Sequence, residues 1–482
     1  MISESKQIRV RIAPSPTGNL HIGTARSALF NYLFARHNEG KFILRIEDTD
    51  LERSDPKFEK DIIESLEWLG LEWDEFYRQS ERLETYAKYL EKLLNEGLVY
   101  RCFCSEEELE KERQERVDGG LPQIYSGKCR NLSEAEIKKN LSEGKKSIFR
   151  FKSPNKKVIF KDLIRGDVEF DSALIGDFSI AKDLVAPLYN FAVVIDDFEM
   201  KISHVIRGED HISNTPKQIL LQEALNFTQP KYVHLPLILG PDRSKMSKRH
   251  GSTSVAEYRK EGYLPEAVVN FMAFLGWNPG LPAKIYKENL GGREKEIYSI
   301  KELIKDFSLD KVQKGGAIFN IQRLNYLNGV YIRKKSLDEL AELCQPYLSG
   351  ADKQTVIKAV SLYQERLKKL SEITELTDFF FQDALEYDKE LLKWKDMSNT
   401  EIGDTLDKLY KILCDVKDNE WTKENLEKIL MPEAEKVKDR GRLLWPLRVA
   451  LTGKKASAGP FEVAEVLGKE KTLDRIKQAR AL

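Results

Sequence analysis

The sequence predicts an α/β protein: a parallel sheet whose strands alternate with helices, broken by an insertion and followed by an all-α C-terminal region. Three observations carry this. Strand and helix patterns alternate from Ile8 to Gly70, a charged and glycine-interrupted stretch then runs from Ser105 to about Lys157, and beyond about Ser252 most of the chain has helical spacing.

Taken in order, Ile8, Val10 and Ile12 alternate with Arg9 and Arg11, the two-residue period of a strand. A turn rich in Pro, Ser and Gly follows and leads into a helical pattern from about Thr24 to His37, which Gly40 closes. Lys41 to Glu47 reads as the next strand, and Pro56 opens a helix to Gly70 with Ser54 or Asp55 as its cap. After the insertion, strand-like apolar runs return at Phe191 to Ile195 and at His204 to Ile206, and Thr215-Pro216 begins another helix. Between Ala351 and Leu376, the residues Val356, Ala359, Val360, Tyr363, Leu367 and Leu370 recur at three- and four-residue spacing, as in a helical bundle.

The 482 residues are too many for one ordinary domain. Lys plus Arg (78) equals Asp plus Glu (78), so contact with nucleic acid has to come from local basic clusters. No apolar run approaches the ~20 residues of a membrane-spanning helix, and the N-terminus lacks the apolar core of a signal peptide. Five cysteines, an odd number in a large chain, argue against a disulfide framework. A soluble, cytoplasmic protein is expected.

Two separated stretches carry chemistry: Pro14-Ser15-Pro16-Thr17-Gly18-Asn19-Leu20-His21-Ile22-Gly23-Thr24, and Lys245-Met246-Ser247-Lys248-Arg249. At a helix N-terminus, Gly23 lets a ligand approach free N–H groups and the positive end of the helix dipole, an arrangement that attracts phosphate. His21 can donate to a phosphoryl oxygen, while Lys245 and Lys248 on a loop over a triphosphate supply positive charge where negative charge develops. Such an assembly suits attack on an α-phosphate with pyrophosphate leaving. Either stretch alone is equally a helix start or a solvated basic loop.

Together the two stretches resemble the ATP-handling signatures of class I aminoacyl-tRNA synthetases. With Arg11 to Gly18, Leu44-Arg45-Ile46-Glu47-Asp48-Thr49-Asp50, Tyr189 to Asp197 and Val205-Ile206-Arg207-Gly208-Glu209-Asp210-His211, the chain resembles bacterial glutamyl-tRNA synthetase from about residue 7 to the C-terminus. Thr24 stands where the general signature has a second His, a familiar replacement in this family. The resemblance implies a Rossmann-type catalytic domain in two halves (1–104 and 186–251), an inserted acceptor-stem-binding domain (105–185), a stem-contact domain (252–328) and a helical anticodon-binding region (329–482). It implies L-glutamate, ATP and tRNA(Glu) as substrates, magnesium as cofactor, no membrane and a monomer. Glutamate would be bound by Arg11, Ser15, Glu47, Tyr189 and Arg207, with Glu47 on the ammonium and the arginines on carboxylate, which their planar fork grips in a bidentate way. ATP would meet His21, Gly23, Glu209 near the ribose, Lys245 and Lys248.

Cys102, Cys104 and Cys129, with Tyr125 between them, form a second constellation. Thiolates at this spacing can make three corners of a tetrahedral zinc site. Some relatives supply a fourth ligand as a His two residues after the third Cys, where this chain has Asn131; Tyr125 can serve instead, as in the similar glutamyl-Q synthetase pattern. The alternative is three reduced, half-buried thiols. In the C-terminal half, Arg366 and Arg448 match positions that contact the anticodon in the family, Arg366 being the one some members use to accept only a glutamate anticodon. An enzyme that also charges glutamine tRNA, a glutamyl-Q synthetase and a catalytically silent tRNA-binding scaffold are the rivals. The long continuation past the lysine loop disfavours the second, and His21, Lys245 and Lys248 disfavour the third.

Overall fold

The computed structural model describes residues 7–50, 52–247, 249, 251–280, 295–348, 351–437 and 439–482. Strand β1 (Arg9–Ile12) pairs in parallel with β2 (Lys41–Ile46), and β2 in parallel with β3 (Glu75–Arg78). Helices α1 (Ile22–His37) and α2 (Pro56–Trp68) make the crossovers. Asp55 caps α2 by accepting from the Lys57 N–H at 2.9 Å, one of the two caps expected. Helix α1 starts at Ile22, ahead of the expected Thr24, because the His21 imidazole takes the cap position and its Nδ1 accepts from the Gly23 N–H at 3.0 Å.

Helix α3 (Leu83–Asn95) leads to β4 (Val99–Cys102) and the insertion. Its helices α4 (Glu106–Asp118) and α5 (Glu134–Ser142) each begin with a reciprocal Ser–Glu capping box and bury no residue, as their charged sequence requires. Strands β5 (Ile148–Phe151), β6 (Lys157–Asp162), β7 (Gly166–Asp171) and β8 (Phe178–Ala181) follow, with β4, β5 and β8 forming an antiparallel sheet. The chain then makes helix α6 (Tyr189–Glu199), β9 (His204–Gly208), α7 (Thr215–Leu225) and β10 (Lys231–Leu235). Strand β10 pairs in parallel with β9, and at Tyr232↔Asp162 with β6, so the hairpin β6–β7 extends the β9–β10 sheet. The Ser203 N–H donates to the Arg9 carbonyl at 2.9 Å and ties β9 to the edge of β1.

The run Phe191–Ile195 lies in α6 and is not the strand its composition suggests. Phe191 to Asp197 are all buried, and a helix buried on every side shows no amphipathic stripe to distinguish it from an interior strand.

These residues, up to Arg259 and again over Pro265–Ile321, form one compact unit; Lys260–Leu264 and Gln322–Leu482 form the other. The second is helical, with helices Lys353–Tyr363, Asn399–Cys414, Lys423–Glu435, Gly441–Thr452 and Pro460–Ala481 among them. Val356, Ala359, Val360, Tyr363, Leu367 and Leu370 are all buried, although the last two lie in turns beyond the helix end.

In the first unit the face of the sheet that carries arginine is buried too. Arg11 sits opposite Ile43, and Arg45 lies two residues beyond Ile43 on the same face. Asp197 on α6 covers both: Arg11 Nε and Nη2 donate to its two oxygens at 3.0 and 3.2 Å, and Arg45 Nη1 donates at 2.8 Å. Arg45 Nη2 donates to Glu47 at 3.1 Å, while Asp196 accepts from Gln79, Arg82 and Tyr86. Three guanidiniums thus face three carboxylates, and the two arginines hold the Asp197 carboxyl below its ordinary range against the opposing effect of burial. Removing one partner strands a buried charge, so Asp197→Ala is expected to destabilise the chain by ~3–5 kcal/mol in urea unfolding.

Candidate functional site

A cavity of about 1030 Å³ opens at the carboxyl ends of β1, β2 and β9, where the strands of an open parallel sheet leave room for ligands. Arg11, Ser15, His21, Gly23, Glu47, Tyr189, Arg207 and Lys245 all line it. Residues from segments far apart in sequence are thereby brought to one cavity.

On the α1 side, the bond from the Gly23 N–H occupies His21 Nδ1, so the ring proton of the neutral imidazole sits on Nε2, where it can be donated. Burial lowers the His21 pKa and Lys245 lowers it further, which keeps the ring neutral. A side chain on Gly23 would place its Cβ 3.1 Å from His21 Nδ1, so the glycine is what lets the ring fold back on its own turn. The Ile22 N–H donates to the Thr253 carbonyl at 2.8 Å, which pins this turn to the segment that follows the lysine loop. Lys245 pairs with Asp210 at 3.0 Å; both side chains are largely exposed, and such a pair exchanges readily for a ligand phosphate. Lys248 lies outside the described residues.

The opposite wall holds the fixed charges. Arg11 spends its Nε and one Nη on Asp197 and has one terminal nitrogen left. Among the described residues Arg207 touches no carboxylate: Nε donates to His234 Nε2 at 3.2 Å, Nη2 donates to Thr215 Oγ1 at 2.8 Å, and Nη1 is buried without a partner. Burial raises the Glu47 pKa against the pull of Arg45 and Arg11. The Tyr189 hydroxyl is 3.1 Å from His211 Nδ1, and burial raises its pKa. Glu209 is not among the lining residues; its carboxylate accepts from the Leu237 N–H at 2.8 Å and pairs with Arg165.

Within the insertion, Cys102, Cys104 and Cys129 bring their sulfurs within 4.8 Å of one another, and the Tyr125 hydroxyl lies 3.4 Å from two of them. Cys104 and Cys129 are 3.6 Å apart. Tetrahedral zinc with ~2.3 Å Zn–S bonds separates sulfurs by about 3.8 Å, so these residues fit the ion. Burial pushes the Cys104 thiol up to about 12 and raises Tyr125 as well. In the helical unit, Arg366 Nη1 donates to the Ser457 carbonyl at 3.3 Å, next to the Ala458 N–H that donates to the buried Tyr363 hydroxyl at 3.0 Å; Arg366 is exposed and Arg448 half-buried.

Sequence reasoning missed Asp197, Asp162, His211 and His234. Each is a polar residue whose surroundings in sequence do not single it out, and its contacts come from a partner on another element. The apolar neighbours Tyr232, Val233 and Leu235 mark His234 as lying in a buried strand, and that is the signal the sequence offered for it.

The family described as class I tRNA synthetases (E and Q), catalytic domain, matches residues 7–326, and the anticodon binding domain family matches residues 339–480. A glutamate–tRNA ligase of Thermoanaerobacter pseudethanolicus is 46% identical over 484 residues, covering 98% of each chain. One from Aquifex aeolicus is 46% identical over 478 residues, again covering 98% of each. A crystal structure of a glutamate tRNA ligase from Elizabethkingia meningosepticum, in complex with its amino acid, superposes with a TM-score of 0.84 at 34% identity, covering 99% of both chains.

Burial depresses the pKa of His204 and of His211 from 6.5 to about 4, and lowers that of His21 and His234. Between those pH values the unfolded chain binds protons that the folded chain refuses, so stability falls as the pH drops from about 6.5 to about 4. The midpoint of urea unfolding, followed by circular dichroism at pH 7, 5.5 and 4.5, should fall at each step.

Proposed function

The chain belongs to the class I tRNA synthetases for glutamate and glutamine and is an ATP-dependent glutamate–tRNA ligase, and we propose that the residues around the cavity divide the work as follows. Arg207 holds the side-chain carboxylate of glutamate, with Arg11 and Tyr189 beside it, while Glu47 and Ser15 take the amino-acid end. The observation that carries this is Arg207 Nη1, a buried cationic donor without a partner on the cavity wall. A buried donor in that state costs free energy until a ligand carboxylate meets it.

The α-carboxylate of glutamate attacks the α-phosphorus of ATP, a phosphorus–oxygen bond forms to the carboxylate and pyrophosphate leaves. His21 Nε2–H, the Gly23 backbone, Lys245 and Lys248 stabilise the charge that builds on the phosphates, and Glu209 steadies the loop near the ribose through Leu237. Magnesium bound to the triphosphate supplies further charge neutralisation. The terminal adenosine hydroxyl of tRNA(Glu) then attacks the adenylate carbonyl and AMP departs. Residues 105–185 hold the acceptor stem, 252–328 contact the stem, and 329–482 read the anticodon with Arg366 and Arg448, splayed bases being well suited to arginine stacking and hydrogen bonds. The enzyme acts as a cytoplasmic monomer, and Arg366 makes it discriminate against glutamine tRNA. Cys102, Cys104, Cys129 and Tyr125 hold a structural zinc ion.

Charging of separate glutamate-tRNA and glutamine-tRNA transcripts with glutamate, ATP and magnesium should succeed for the first alone. Success with both would remove the discriminating role of Arg366. Arg207→Ala should raise KM for glutamate about 10–100-fold, the loss expected for a charged hydrogen bond, with KM for ATP little changed. Metal analysis should find one zinc ion per chain, lost in Cys129→Ser; metal-free wild type that charges at full rate would overturn the zinc assignment.

A further inference from the structure

We infer that Asp162 and His234 form a buried relay that positions Arg207, and that the neutral imidazole in the middle preserves the charge with which Arg207 reads the glutamate side chain. This rests on Arg207 being the side-chain reader.

The sheet register builds the relay. His234 on β10 is the cross-strand neighbour of Arg207 on β9, so the two side chains leave the sheet on one face. Tyr232, two residues before His234, pairs with Asp162 at the end of β6, which brings that carboxylate to the same edge. His234 is 0% exposed and Asp162 1%.

Hydrogen bonding then fixes every proton. Asp162 Oδ1 accepts from the Ile164 and Arg165 N–H groups at 2.9 and 2.8 Å; Oδ2 faces the His234 N–H at 3.0 Å and His234 Nδ1 at 2.7 Å. A carboxylate receiving so many donors is ionised and can only accept, so Nδ1 carries the ring proton. Nε2 is left as a lone pair, and Arg207 Nε–H donates to it. Thr215 completes the support, its Oγ1 accepting from Arg207 Nη2 and lying 3.1 Å from the same Nε2.

The contrast with Arg11 shows what the relay achieves. Arg11 is held by a carboxylate, which fixes the guanidinium but neutralises it on the spot. Arg207 is held by groups without formal charge, and the carboxylate at the end of the relay, Asp162, is one imidazole away. Its guanidinium is therefore both rigid and electrostatically unspent, as discrimination of a carboxylate from an uncharged amide requires.

The test separates the two ring nitrogens. Asn at position 234 keeps a donor for Asp162 and deletes the acceptor for Arg207; Gln puts a carbonyl oxygen where Nε2 lies and gives up Asp162. In charging of a glutamate-tRNA transcript, His234→Asn should raise KM for glutamate about 10-fold, leave KM for ATP within about twofold, and His234→Gln should recover most of the loss. Unchanged KM for glutamate in His234→Asn, or a fall in kcat alone, would overturn the relay. Nitrogen-15 spectra of the wild-type protein, assigned against His234→Gln, give a second readout independent of substrate. A protonated Nδ1 with a bare Nε2 is expected at pH 7, and the opposite tautomer or an imidazolium would overturn the proposal. Wild type that fails to charge glutamate while showing the expected tautomer would instead defeat the reading of Arg207 as the substrate's partner.

Discussion

A carboxylate on a buried helix receives two guanidiniums from two neighbouring strands, and the position of the cavity depends on that junction. Asp197 sits near the C-terminal end of α6; Arg11 and Arg45 rise from β1 and β2. Bringing these ions out of water costs several kcal/mol each, repaid only when the geometry satisfies the oxygens and N–H groups together. The same junction therefore clamps α6 over the first half of the sheet and brings Tyr189, at the start of that helix, to the cavity wall.

Because charge is cancelled under α6, the electrostatics of the cavity are set elsewhere. Arg207 supplies an uncancelled cation on one side, and the cap of α1 supplies oriented N–H groups and a neutral imidazole on the other. In the proposed reading the first region takes a carboxylate and the second phosphate, so that a carboxylate oxygen and a phosphorus meet between them. The division does not need a nucleophilic side chain, in keeping with chemistry that joins two bound substrates.

How much of this the sequence discloses varies with the range of the interaction. Local signals were sufficient for β1, for α2 with its Asp55 cap, and for the turn around His21 and Gly23 that opens a helix, since capping and strand alternation act over a few residues. The clustering of Cys102, Cys104 and Cys129 was likewise visible as spacing. Phe191–Ile195 was misread because burial on all sides erases periodicity. Asp197, Asp162 and His234 were passed over for a different reason: their partners lie far off in sequence, so only the sheet register reveals that they touch the residues already singled out.

The separation of Arg11 from Asp197 also has a timescale. The two residues are 186 positions apart, with the whole insertion between them. At the usual pace of synthesis, about 5–20 residues per second, on the order of ten to forty seconds pass between the making of Arg11 and the arrival of its counter-ion. For that interval Arg11 is without Asp197, whereas Arg45 already has Glu47 beside it, so the junction with α6 closes only after the insertion has been made. The insertion, whose β4–β5–β8 sheet is made of segments translated within the interval, is in a position to fold before the sheet that frames it.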